Sequence, residues 1–378
     1  MGKSRIRDKA DNLAKADGFY HWYDESTLTG LEADRDTLRT LLHPLAFGEP
    51  SARISPRQRS KFQRIMKKNA ATIPIRVATL LEICELLHIS PESLERMKLF
   101  KRDYPIPLAH AQIYRLMTHV INEGSVKKGK YPRGVYCNLD LSLHERVSQL
   151  ITSLGSHGNR RIGKDNVPET YVSAAMAKLL IKAGLVPGKK TRGQYFHHLP
   201  KQILDNHVLS KYHMSATLTE EGSPSLRFNV GSRPSISIAY TRSIDVTDTL
   251  TSEYIDSLEK EKKYYIGKIP DAVRSKIRLL PFPLLEDEVN LLRRKFGIDV
   301  HTSLKSIYKS KQDRVTAEWG AVFSSAEAIK KFKDRIGFLP GSRVEKRFEM
   351  ILKLYEENKN KALSQEDVDR IGKELRQS

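Results

Sequence analysis

The stretch AHAQIYRLMTHVINEGSV, residues 109–126, decides how the rest of the chain is read. It reads as an amphipathic helix that ends in an acid–glycine pair, Glu123-Gly124. Ninety-eight positions on (221 − 123) the same shape returns in HVLSKYHMSATLTEEGSPSL, residues 207–226, whose pair is Glu221-Gly222. One such ending is ordinary, because glycine is the favoured helix terminator. A carboxylate in the last turn, however, is opposed by the helix macrodipole. Meeting that cost twice, in two parts of a basic chain, points to carboxylates retained for chemistry.

Outward from each helix the pattern runs in parallel. Beyond Gly124, Val126 to Lys130 and Gly134 to Leu139 read as strands around a turn at Pro132-Arg133-Gly134. Ser142 to Leu154 has Leu143, Val147, Leu150, Ile151 and Leu154 at helical spacing. A basic segment, His157 to Lys164, and a helix over Pro168 to Leu185 follow, closing in a turn from Gly184 to Lys190. Beyond Gly222, strands are expected over Ser225–Val230 and Ser235–Val246, a helix over Pro281–Phe296, a hairpin over 301–323 and a helix over Ser324–Ile336. The order is helix, two strands, helix, two strands, helix, with the first unit the less complete. Ser342 to Gln377 reads as two charged helices.

Upstream the chain is read as helical. Leu31 to Leu42 reads as a helix, and SPRQRSKFQRIMKK, residues 55–68, as a second with six basic residues and no acid. Its Ser-Pro start suits a helix N-terminus. Arg57, Arg59, Lys61 and Arg64 are either a solvated face or phosphate contacts. Ile73 to Leu87 reads as a third helix, and Ser90 caps a fourth with Pro91 at its first position. The pair is a helix-turn-helix or a plain helical hairpin. The aromatic cluster from Phe19 to Tyr23 is more often a docking contact than a platform for stacking on bases. Tyr104-Pro105-Ile106-Pro107 is a stiff connector. The expected divisions are therefore 1–104, 105–194, 195–340 and 341–378.

The 378 residues carry a formal net charge of +20, which implies a polyanionic partner, most simply nucleic acid. Two cysteines, Cys84 and Cys137, make neither a disulfide framework nor a Cys-rich zinc site. No apolar span or secretory leader is legible, so an intracellular protein without a membrane segment is expected. No glycine-rich phosphate loop, HExxH-type metal spacing or nucleophile elbow appears.

The two acid–glycine helices resemble those of the LAGLIDADG homing endonucleases. The residues that carry the likeness are Leu116-Met117-Thr118 to Glu123-Gly124 and Met214-Ser215-Ala216 to Glu221-Gly222. KAGLVPGKKTRGQYFHHLP, residues 182–200, and WGAVFSSAEAIKKFKDRIGFLPGSRVEKRFE, residues 319–349, resemble flanking segments in the same order, so the likeness spans about 107–352. It implies an α+β fold: two pseudo-symmetric αββαββα repeats forming a DNA-binding saddle, preceded by an all-α N-terminal domain. The family's two helices meet at a pseudo-twofold axis, where small residues are wanted. Thr118, Asn122, Thr219 and Glu220 depart from that, and buried polar groups at such a seam need partners.

The function implied is metal-dependent, site-specific cleavage of double-stranded DNA by a monomer, free-standing or intron-encoded. Glu123 and Glu221, with Gly124 and Gly222, would hold Mg²⁺ or Mn²⁺. Lys189, Lys190, Arg192, Arg233, Lys309 and Lys311 join the four basic residues of the N-terminal helix as expected DNA contacts, and Lys189, Lys190, Lys309 and Lys311 are also of the right type to assist catalysis. The alternatives are a non-catalytic DNA-binding regulator on the same fold and an intron RNA maturase.

Overall fold

The structure, a computed structural model, describes residues 18–22, 30–48, 54–68, 70–100, 104–129, 132–156, 158–163, 166–192 and 194–376. Tyr23 of the aromatic cluster lies outside them. The fold is mixed α/β with antiparallel sheets.

The N-terminal part departs from the all-α expectation. A two-residue strand β1 (Phe19–Tyr20) precedes β2 (Gly30–Asp34), and β2 pairs with β3 (Thr72–Arg76). Around that ribbon lie α1 (Arg35–Phe47), α2 (Pro56–Met66), α3 (Val77–Leu87) and α4 (Pro91–Arg96). In β3, Ile73 and Ile75 are buried while Pro74 and Arg76 are exposed, a period of two that a helix cannot satisfy. The proline also biases Ile73 away from helix. In β2 the Asp34 side chain accepts from Thr37 N at 2.9 Å, which starts α1 there rather than at Leu31. Ser55 caps α2 as a full capping box with Gln58. His88, at φ 54°, turns α3 into α4.

Tyr20 and Trp22 are both buried, in different cores: Tyr20 in that of the main body, Trp22 in that of the N-terminal helices. Tyr20 donates to Ala175 O at 3.3 Å and Trp22 Nε1 to Pro91 O at 3.0 Å. β1 pairs with β4 (Ile106–Pro107). The cluster therefore docks the two parts together, and these two rings are not available for stacking.

The main body opens with α5 (Ala111–Glu123), followed by β5 (Gly124–Val126), β6 (Gly134–Cys137), α6 (Leu141–Ser153), β7 (Asn159–Ile162), β8 (Pro168–Val172) and α7 (Ala174–Lys182). The helix expected from Pro168 is thus a strand followed by a helix. Thr170, Tyr171 and Val172 favour the extended chain, and Ser173 caps α7 by accepting from Met176 N at 3.3 Å. After a short helix α8 (Lys201–Asp205) come α9 (His207–Glu220), β9 (Gly222–Arg227) and β10 (Ser235–Asp245). An insertion then adds α10 (Ser252–Ser257), β11 (Lys263–Tyr265), α11 (Asp271–Arg278) and α12 (Pro283–Asn290), which runs on as a π-helical turn to Lys295. β12 (His301–Lys309), β13 (Val315–Phe323) and α13 (Ala326–Arg335) follow, then α14 (Arg343–Asn358) and α15 (Gln365–Arg376).

The sheets run β5-β6-β8-β7 and β11-β12-β13-β10-β9. Apart from the added edge strand β11, both place their own first, second, fourth and third strands side by side. The C-terminal helices close the second sheet's core: α14 lies on β9 and β10, and Phe348 packs at 5.7 Å from Phe332 and 5.2 Å from Phe338. No described helix is long and apolar enough to cross a membrane.

Neither glycine after the acids serves as a left-handed terminator. Gly124 has φ −113° and ψ −176°, so helix passes directly into strand. What requires glycine is space. A Cβ on Gly124 would sit 2.8 Å from Val120 Cα and from Val135 O, and one on Gly222 would sit 2.0 Å from Leu218 O. Gly222→Ala is expected to cost about 1–3 kcal/mol or more, as overpacking against immobile backbone does, read as a fall in the denaturant midpoint. An unchanged midpoint would show that the backbone there can yield.

Candidate active site

α5 and α9 pack against each other, and each delivers its last carboxylate to the point where its own sheet begins. Along the seam small or hydroxyl side chains face across. Thr118 Oγ1 donates to Tyr114 O at 3.0 Å and lies 3.1 Å from His213 Nδ1. Thr219 Oγ1 donates to Ser215 O and accepts from Leu339 N at 2.8 Å. The polar residues of the seam are thus hydrogen-bonded rather than loosely packed.

Two buried networks flank the carboxylates. In the first, the Glu220 side chain is fully buried, with His119 Nδ1 at 2.5 Å, the Tyr136 hydroxyl donating at 2.6 Å and Asn122 Nδ2 donating at 2.7 Å. Tyr212 Oη lies 2.8 Å from the far nitrogen of His119. In the second, the guanidinium of Arg242, 0 % exposed, donates to Glu221 Oε1 at 2.9 Å and to Asn122 Oδ1 at 2.7 Å. It also forks onto both oxygens of Glu288, at 2.7 and 3.2 Å. Glu288 in turn lies 3.4 Å from His213 Nε2. Asn122 joins the networks, since its oxygen also accepts from Thr217 at 3.2 Å. Burying charge is tolerated only with this degree of pairing.

Glu123 and Glu221 differ from these. Both are partly exposed, Glu221 by 22 %. Burial, followed by the neighbouring charge of Glu221, pushes Glu123 up to about 8, against the pull of Lys190 and Arg242. Burial raises Glu221 too, while Arg242 and Lys190 hold it down. Lys190 is lowered, chiefly by burial, with both carboxylates working the other way; its Nζ donates to Asn122 O.

The sign of the Glu123 shift makes a prediction. Between its ordinary value near 4.5 and about 8, the folded protein keeps a proton that the unfolded chain has released. Stability contributed by this group is therefore lost as pH rises through that window and is level above it. Glu123→Gln is expected to flatten the loss of Tm between pH 5 and 8 relative to wild type. Parallel curves for the two proteins would contradict the shift.

The other sequence candidates scatter. Lys190 joins the carboxylates, whereas Lys189 is exposed beside it. Arg192 pairs with Asp245 at 2.7 Å, and Arg233 is exposed at the β9–β10 turn. Lys309 is a correction: its side chain is buried, donating to Ile255 O at 2.6 Å and Leu258 O at 2.8 Å, so it ties down the insertion instead of facing a ligand. Lys311 is exposed, 3.4 Å from Glu261. On α2, Lys61 pairs with Glu82 at 2.6 Å and Arg59 donates to Gly48 O, while Arg57 and Arg64 are exposed.

Arg242 and Glu288 escaped the sequence reading, yet both left a signal. In ISIAYTRSID the inward positions are Ile236, Ile238, Tyr240, Arg242 and Ile244, so one charge occupies a core phase. Glu288 likewise stands four residues from Leu284 and from Leu292 on the buried face of its helix.

No family model matches the chain, and no curated protein matches it. Among solved structures it is similar to the LAGLIDADG meganuclease I-AabMI bound to uncleaved DNA, with a TM-score of 0.40 and 12% identity over 70% of this chain and 98% of that one. It is similar also to the LAGLIDADG homing endonuclease I-GzeII in complex with its DNA target, with a TM-score of 0.40 and 12% identity over 70% and 97% of the two chains.

Proposed function

We propose that the chain is a divalent-metal-dependent endonuclease that cuts both strands of duplex DNA at a specific site, with Glu123 and Glu221 as its metal-holding carboxylates. The observation that carries this reading is the pair itself: two partly exposed acids, one from each of two packed helices, raised by burial. Burial holds both acids back from ionising, and a cation between them would favour the charged forms. Two carboxylates with substrate phosphates are a fitting donor set for Mg²⁺ or Mn²⁺, which are hard ions that keep open positions. Among the described residues no group of three or more His, Cys, Asp or Glu side chains is arranged to hold a metal ion, so phosphate oxygens and water would complete the donor set. When bound, such a metal supplies Lewis-acid activation of water and neutralises charge at the scissile phosphate.

The chain's own groups have separable roles. Glu123 and Glu221 would hold the metal, with the backbone at Gly124 and Gly222 beside them. Arg242 orients Glu221 by donating to its Oε1. Lys190, partly buried beside both acids, is poised to stabilise charge developing on a phosphate. One chain holds both acids, so a monomer suffices. In the N-terminal part, the helices α3 and α4 with exposed Arg57 and Arg64 on α2 would extend the DNA contact.

A non-catalytic DNA-binding regulator is favoured by one observation, the Arg242–Glu221 ion pair, which satisfies an acid without metal. The deciding experiment offers the protein a randomised duplex library in Mg²⁺ and in EDTA. Cuts that appear only with metal are expected; specific binding with no cuts in Mg²⁺ or Mn²⁺ would leave the regulator.

A further inference from the structure

The two sheets have different reach. β10 is eleven residues long and β12 and β13 are nine each, whereas β5 to β8 have three to five. At about 3.3 Å per residue, β10 spans roughly 36 Å and the strands of the first sheet only about 10–17 Å. One turn of B-DNA is about 34 Å, and its major groove admits a two-stranded ribbon.

The open faces differ as well. β10 alternates along its length, with Ile236, Ile238, Tyr240, Arg242 and Ile244 turned to the core. The other face carries Ser237, Thr241 and Ser243 on β10 and Ser223 and Ser225 on β9. Ser225 and Ser237 lie 2.9 Å apart, oxygen to oxygen. On the same face Lys305 lies across Gly320, its Cε 2.4 Å from where a Cβ would stand. Short hydroxyl groups let a groove approach closely and can bond to base edges. The first sheet presents exposed cations on short strands: Arg161 on β7, whose neighbour Arg160 turns to the opposite face with Thr170, and Lys127, Lys128 and Arg133 at the β5–β6 hairpin. Such groups answer to phosphates, which position a protein without reading sequence.

We infer that recognition in this protein is divided unequally. The second sheet reads base edges over about one helical turn, and the first sheet holds the backbone of the other half-site with little discrimination. This rests on the site-specific, duplex-DNA reading above. Base-edge discrimination is set by Ser237, Thr241 and Ser243 and their neighbours on β9, while Arg161 and the hairpin cation Arg133 set salt-dependent affinity.

The test selects binding sites from a randomised duplex library with the full chain in EDTA, then sequences what is retained. Fixed bases are expected over roughly eight to ten positions of one half and at most about four of the other, following the strand lengths. Single substitutions in the long half should weaken binding roughly 5- to 100-fold. Ser237→Asn should alter the selected bases in the long half alone. Arg133→Ala with Arg161→Ala should leave the selected sequence intact and reduce the slope of log affinity against log salt by about 2. Arg133 and Arg161 are exposed and Ser237 is half-buried on the open face, and unchanged circular dichroism will show that the variants fold. Bases fixed evenly in both halves, or a selected sequence indifferent to Ser237→Asn, would overturn the division while leaving the endonuclease reading intact. DNA retained with no sequence enriched would overturn site-specific recognition and the division together.

Discussion

Replacing either Glu123 or Glu221 by glutamine is expected to lower double-strand cleavage about a thousandfold while leaving duplex affinity nearly unchanged. The magnitude follows from the several kcal/mol that a bound metal contributes at a scissile phosphate, at about 1.4 kcal/mol per tenfold in rate. Glutamine keeps the volume and one oxygen, but it neither binds a hard divalent ion well nor carries the compensating charge. The two substitutions differ in their by-products. Glu221→Gln leaves Arg242 with Glu288 and Asn122 as partners, so the fork remains largely satisfied. Glu123→Gln removes the acid that burial and the charge of Glu221 push up to about 8. Linearisation of a plasmid carrying the selected site measures the rate, and gel shift in EDTA measures affinity. A variant cutting at more than a tenth of the wild-type rate would remove its acid from the site.

The second large effect concerns stability. Arg242→Met leaves Glu288 fully buried without its cation, beside His213 and Tyr240. Breaking a buried pair from one side costs about 3–5 kcal/mol, because a charge stays in the interior uncompensated. Adding Glu288→Leu to that variant removes the orphan, so the double substitution is expected to recover most of the loss. Chemical denaturation of the four proteins in the cycle measures this. Additive losses would mean that the fork contributes nothing as a pair.

The helix that ends at Glu123 was legible from its apolar period and acid–glycine stop, and the one before Glu221 from the same stop. The β9–β10 and β12–β13 hairpins were legible from their strand composition. The first strand after Glu123 begins earlier than the expected Val126–Lys130, because the helix passes straight into β5 at Gly124. The short strands β7 and β8 were not legible as strands, since four or five residues carrying Arg160, Arg161 and Glu169 offer no apolar alternation. The ribbon of β2 and β3 was hidden because each strand abuts a helix whose apolar period swallows it. Of the candidate site, the two acids could be read. Lys190 could not be told from Lys309, because one side chain folds toward carboxylates and the other toward carbonyls some fifty residues upstream. The Arg242–Glu288 fork is likewise a relation between residues 46 apart, and either charge alone looks like any surface charge.

The pleat of β10 has one more consequence. Arg242 looks inward between Thr241 and Ser243, which look outward, so adjacent codons encode opposite faces of one strand. Mutations that alter the outer face leave the buried fork and the carboxylate it steadies untouched. Drift is therefore cheap on one side of the sheet and nearly forbidden on the other. A lineage carrying this strand can explore new outer surfaces through single-residue steps, with no intermediate in which the interior has come apart.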